Sequence, residues 1–254
     1  MDAKRVQASL NQIAKVYRRI LDEKTRSIVI PNAVESVEIT KQRYDHAVRN
    51  QTRGFMPEPW GYTITHDQPL RFKPAKIPNG IELQADVYCD IRWTDDDDRP
   101  VRQDIKIRIW SQHDEVIFDP ERDAQIIETK LASLERNHPG RVVARFHFDR
   151  ADSGQKAGPE YHLQFGGKAE SYELYWHPKK VNVPRFEYRP VELFLTCQMI
   201  AANFFWEEYL EIREKREWRE ELIFYQNRLL KHHYEKCLSL IRNNESLLDG
   251  LWVI

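Results

Sequence analysis

Two histidines lie on short alternating segments, each flanked by other polar groups. One segment is Arg141-Val-Val-Ala-Arg-Phe-His-Phe-Asp149 and the other is Tyr161-His-Leu-Gln-Phe-Gly-Gly167. A period of two places Arg145, His147 and Asp149 on one face of the first, opposite Val142, Ala144, Phe146 and Phe148. In the second, His162 and Gln164 share a face opposite Leu163 and Phe165. Paired as a hairpin, the two strands would gather a guanidinium, two imidazoles, a carboxylate and an amide on one surface. Imidazoles at that position can take and give protons, and a carboxylate can orient them. His147, Asp149 and His162 are also suitable ligands for zinc, manganese or iron, which would acidify a bound water for hydrolysis. His147, Asp149, His162 and Gln164 are therefore the candidate catalytic residues, and His147, Asp149 and His162 the candidate metal ligands. The polar face of an ordinary half-buried sheet produces the same alternation, so both readings stay open.

Complete catalytic signatures do not surround this pair. Two-histidine phosphoesterases carry Ser or Thr after each histidine in an H-x-polar motif, whereas here Asp149 and Gln164 occupy those places. No GxSxG elbow occurs, and neither a Walker nor a GxGxxG pattern includes Gly166-Gly167. The run Asp95-Asp-Asp-Asp98 lacks the alternating ligand spacing of a calcium loop and reads as a charged turn. Cys89, Cys197 and Cys237 form no CxxC pair, which argues against a zinc ribbon or a disulfide framework and fits a reducing, cytoplasmic setting. The most apolar stretch, 191–206, is 16 residues long. About 20 are needed to span a bilayer, so no membrane association is expected. The leading reading needs no cofactor, and the alternative needs a divalent metal ion.

Net charge is −1, but its distribution is uneven: residues 1–80 carry 14 Lys or Arg against 8 Asp or Glu, and residues 81–140 carry 8 against 15. No overall field favours nucleic acid. Lys179, Lys180 and Arg185 interleave with Trp176, Phe186 and Tyr188, a composition that can hold a backbone and stack bases. With Arg145 they are candidate binding residues. Pro178, Pro184 and Pro190 give the same stretch the look of an extended connector, and nucleic acid is not the favoured partner.

These residues need a scaffold. Val6, Leu10, Ile13, Val16, Tyr17, Ile20 and Leu21 predict an amphipathic helix over 3–27, closed by Pro31. Five prolines predict irregular chain over 51–80, a linker or surface loop. Alternation over 81–93 and again over 101–110 predicts an antiparallel hairpin. Asp119-Pro120 predicts a helix start running to about 135, and 172–176 reads as a further strand. Between Val191 and Asp249 there is neither Pro nor Gly, which predicts a buried helix at 191–205 and a long amphipathic one over 207–242 with at most one break. Glu214 and Glu221 interrupt the apolar stripe of the second, and its length exceeds what a compact domain needs. Trp218, Leu222 and Tyr225 are therefore expected to contact another protein subunit or a second copy. The fold class is α+β, a mainly antiparallel sheet flanked by an N-terminal helix and a C-terminal helical unit. The divisions are a helical region at 1–50, a Pro-rich linker at 51–80, the sheet domain at 81–189, and a helical unit at 190–254 packed on the sheet.

The run from His147-Phe-Asp149 through Tyr161-His-Leu-Gln-Phe-Gly-Gly167, then Pro184-Arg-Phe186 and the helix 191–205, resembles a pattern in some uncharacterised prokaryotic proteins. Those proteins share a histidine strand, an HLxxGG strand, a connector and a helix, and are thought to accompany mobile or antiviral loci. The resemblance covers residues 141–205 and implies a setting, not a reaction. The expected function is a non-catalytic accessory or protein-interaction subunit of a prokaryotic defence or CRISPR-associated system. The alternative is a metal-assisted hydrolase, a phosphodiesterase or nuclease, using the His147, Asp149 and His162 strands.

Overall fold

A computed structural model describes residues 1–50, 57–76, 82–96, 99–111, 141–150, 158–165, 186–247 and 252–253. The predicted helix at 119–135, the predicted strand at 172–176, Gly166-Gly167 and Lys179, Lys180 and Arg185 lie outside them. The described elements make an α+β architecture in which one hydrophobic cluster joins residues from Val6 to Leu229.

Helix α1 (Ala3–Val16) starts at Asp2, whose carboxylate accepts from the Lys4 amide at 3.1 Å. Val6, Leu10, Ile13 and Val16 face inward, as their spacing predicts. The helix does not continue to 27. A turn through Tyr17 hands the chain to Leu21, which forms a β-bridge with Phe72, and Asp22 then caps a second helix, α2 (Glu23–Arg49), through the Thr25 amide at 2.9 Å. Pro31 lies inside α2 and does not close it. A proline here frees the carbonyl four residues earlier, that of Ser27. Ser27 is exposed, so water can satisfy that carbonyl and the helix tolerates the proline.

The described part of the segment expected to be a linker, 57–76, joins the sheet. Strands β1 (Trp60–Ile64), β2 (Leu70–Arg71) and β3 (Ala75–Lys76) all pair antiparallel with β4 (Glu82–Trp93). Pro59, Pro69 and Pro74 each stand immediately before a strand, where a missing donor costs least. The prolines thus divide an edge into three short pieces. Thr40 of α2 clamps β1 by accepting from the Gly61 amide at 3.0 Å and donating to the Gly61 carbonyl at 2.8 Å. A Cβ at Gly61 would stand 2.0 Å from the Ile91 carbonyl oxygen, so only glycine fits.

Beyond β4 the sheet runs through β5 (Arg102–Ser111), β6 (Arg141–Arg150), β8 (Tyr161–Phe165) and β9 (Phe186–Glu187), every pair antiparallel. Short β7 (Gly158–Pro159) pairs separately with β10 (Trp252–Val253). One face of the sheet is apolar, with Ala85, Val87, Cys89, Ile91, Ile105, Ile107, Ile109 and Phe148 buried together. Helix α3 (Leu193–Phe204) packs into the same cluster through Leu193, Phe194, Cys197, Ile200 and Ala201, the buried helix that the 191–205 composition predicts. The long helix expected after it is divided further. It consists of α4 (Trp206–Arg213), α5 (Arg216–Tyr225), a π-helical turn at Gln226–Leu230, and α6 (Lys231–Arg242). A π turn inserts an extra residue into the helical repeat and rotates the faces on either side of it.

Candidate functional site

The second face of the sheet is polar, and strand register fixes its layout. His147 stands opposite Gln164, and Asp149 stands opposite His162. The predicted histidine strands are therefore neighbours, with both imidazoles on one face. Register extends the rows across β5: Asp104 is opposite Asp149, Lys106 opposite His147, and Arg108 opposite Arg145. It then reaches β4, where Asp90 meets Asp104, Tyr88 meets Lys106 and Asp86 meets Arg108. Asp90, Asp104 and Asp149 thus form an acidic row across three strands and Arg108 and Arg145 a basic pair, so the attractions run diagonally between rows, as from His147 to Asp104.

His147 Nε2 bonds Asp104 Oδ1 at 2.8 Å, and Lys106 Nζ reaches Asp104 Oδ2 at 3.2 Å. Asp149 Oδ2 lies 3.9 Å from Nε2 of His147 and 3.9 Å from Nε2 of His162. Burial would raise the pKa of Asp104, but the hydrogen bond from His147 and the charges of His147 and Lys106 outweigh it and hold the carboxyl below its ordinary value. His162 is fully buried, and Gln164 is half-buried across from His147. A carboxylate bonded to one imidazole nitrogen fixes the ring and supports it as a base, the geometry that positions a general base in hydrolysis.

Asp104 and Lys106 were not among the residues singled out from sequence, although the alternation of β5 already put them on the face opposite Ile105 and Ile107. Among the described residues, no three His, Cys, Asp or Glu side chains are grouped to hold a metal ion. His147 Nε2 is bonded to Asp104 Oδ1, and an ion shared by His147, Asp149 and His162 would need each of them at about 2.0–2.2 Å.

The face is closed along the row of Asp86, Arg108 and Arg145. Asp86 is fully buried and takes a two-pronged bond from Arg71, at 2.8 and 2.9 Å, plus the Trp110 indole at 3.1 Å. Arg108 is buried against the rings of Tyr88 and Trp110, 4.6 and 5.2 Å from their centres. Arg145, expected to bind a ligand at the surface, is buried too. The reason is its place opposite Arg108, in the row where the sheet is most covered.

Helix α5 corrects a second expectation. Trp218 and Tyr225 are buried, and Leu222 packs against the core. Tyr225 stacks on Phe194 with ring centres 5.8 Å apart, and its hydroxyl shares a hydrogen bond of 2.5 Å with Ser9. Glu221, which interrupts the apolar stripe in sequence, is buried and paired with Arg5 of α1 at 2.8 Å. The stripe is therefore an intramolecular contact covered by α1.

The exposed stripe lies one helix later. On α6, His233, Cys237 and Leu240 are turned inward, with His233 edge-on to Tyr161 at 6.4 Å. Tyr234, Leu238 and Ile241, spaced four and three apart on the adjoining face, are 48%, 49% and 56% exposed.

No protein-family model, curated protein or solved structure matches the chain. Among the described residues, no helix is long and apolar enough to cross a membrane.

Proposed function

We propose that the protein is a non-catalytic interaction subunit that docks on another protein chain through α6. The observation that carries this is the exposure of Tyr234, Leu238 and Ile241 along one helix face while a second face of the same helix is already packed. A helix that presents apolar groups at these intervals matches the way amphipathic helices seat in a partner. The resemblance of residues 141–205 to proteins of mobile and antiviral loci supports a prokaryotic defence or CRISPR-associated setting, in the cytoplasm, and is the support for that setting. The test is capture of partners by tagged full-length protein from its native cells, compared with the Leu238→Glu/Ile241→Glu variant. Loss of captured chains in the variant, with the melting curve preserved, supports docking through α6. Equal capture by both proteins contradicts it.

A second reading rests on the 2.8 Å bond between His147 and Asp104. It makes the chain a hydrolase, a phosphodiesterase or nuclease, in which His147 activates water and Asp149 and His162 complete the polar surface. A divalent metal ion is the cofactor this reading allows. Hydrolysis of a generic phosphodiester that disappears in His147→Ala and falls in Asp104→Asn would favour it. Equal rates for the parent and both variants would remove it.

A further inference from the structure

The exposed stripe of α6 has a charged flank that is complementary to itself. On a helix of 3.6 residues per turn, Lys231, Glu235 and Arg242 fall together, about 70° round from the line of Tyr234, Leu238 and Ile241. All three charged residues are exposed. The opposite flank of the stripe is the packed side, with Cys237 half-buried and Leu240 buried. Any partner of the stripe therefore meets this one charged edge.

We propose that the partner is a second copy of this chain, its α6 laid antiparallel about a two-fold axis beside Leu238. This identifies the occupant of the surface named above and rests on that reading. In this arrangement Leu238 meets Leu238 of the second copy and Tyr234 meets its Ile241. Glu235 then lies opposite Arg242 of the second copy, and the two-fold repeats that pair. A parallel arrangement in register sets like residue against like and forfeits the complementarity. Antiparallel helices also bring equivalent flanks face to face, so the charged edge of one copy meets the charged edge of the other. Among the described residues Glu235 pairs with Lys231, at 3.8 Å between exposed side chains. Such a pair contributes little, so Glu235 can turn to a second partner at small cost.

Three apolar side chains per copy make an interface below the usual size of a stable dimer. The association is accordingly weak, with a dissociation constant on the order of 10–100 µM.

The experiment is analytical ultracentrifugation of the full chain over about 1–200 µM, a span that brackets weak specific association. The parent is expected to pass from monomer to dimer, and Leu238→Glu to remain monomeric throughout. Glu235→Arg and Arg242→Glu should each weaken the dimer at least tenfold, and the combined variant should return to within about threefold of the parent. A parent that stays monomeric, or a combined variant no better than the single ones, overturns the proposal. A photo-crosslinking residue at Ile241, Ile241→p-benzoylphenylalanine, separates this failure from that of the docking reading in cells. An adduct of twice the chain mass supports the second copy. An adduct of another mass, with a monomeric parent, overturns the second copy and keeps docking. The absence of any adduct overturns both.

Discussion

Helices α5 and α6 carry apolar stripes of nearly the same spacing, and the fold uses them in opposite ways. Trp218, Leu222 and Tyr225 lie under α1, tied by the Ser9–Tyr225 and Arg5–Glu221 contacts and by Lys15 to Glu217 at 2.7 Å. Tyr234, Leu238 and Ile241 are open to solvent. The π turn at Gln226–Leu230 separates the two. Periodicity reports that a helix has an apolar face; it does not report what covers that face. The cover is decided by a helix more than 200 residues away in sequence. Glu221 looks like a break in the stripe, yet it is the side chain that answers Arg5 across the α1 contact.

The sharpest way to break this comparison is to truncate one side chain in each stripe. Trp218→Ala removes a buried indole and leaves a cavity, at a cost of about 3–5 kcal/mol, which for a chain of this size lowers the melting temperature by roughly 6–20 °C. Leu238→Ala should stay within about 0.5 kcal/mol of the parent. Thermal melts of the two variants side by side check the contrast, and equal losses would erase it.

The buried side of the comparison also carries a pH signature. Glu192 caps α3 through the Phe194 amide at 2.8 Å and accepts from the Tyr62 hydroxyl at 3.3 Å. Burial, helped by the nearby charge of Glu221, pushes its carboxyl up to about 7 against the opposing effect of those hydrogen bonds. In the unfolded chain it would titrate near 4.3. The folded state therefore keeps a proton that the unfolded state has released. Glu192 contributes its full stability below about pH 4.3, loses it as pH rises towards 7, and changes little above that. The total is roughly 4 kcal/mol. Denaturant melts from pH 4.5 to 8 should show this decline, and Glu192→Gln should flatten it. An unchanged slope in the variant would assign the pH dependence elsewhere.

A smaller effect belongs to the α1 cover itself. Glu221→Gln removes the charge facing Arg5, whose side chain is about a third exposed and can turn to water. The expected loss is about 1–2 kcal/mol, readable by denaturant melts. No loss at all would mean that apolar packing alone seats α1 on α5.

Other parts of the molecule were legible to different degrees. Alternation in β4, β5, β6 and β8 carried enough information to place His147 and His162 on adjacent strands and to separate the sheet's two faces. The same pattern held Asp104 and Lys106, but an Asp and a Lys on an alternating strand look like any solvated face, and only register with β6 sets them beside His147. Strands β1 to β3 were hidden because each has only two to five residues and follows a proline, so no window is long enough for a period to emerge. Helix α2 was hidden by Pro31, whose cost is small only because Ser27 faces water. Burial of Arg145 could not be read from its own strand, since it depends on register with Arg108.

The measurement closest to the central claim is the Leu238→Glu/Ile241→Glu double variant, followed by both thermal melt and partner capture. Docking through α6 predicts a melting temperature within about 2 °C of the parent, as expected for surface substitutions, together with loss of the captured chain. A fall in melting temperature as large as that of Trp218→Ala, with capture retained, would show that the α6 stripe is core and would contradict the account.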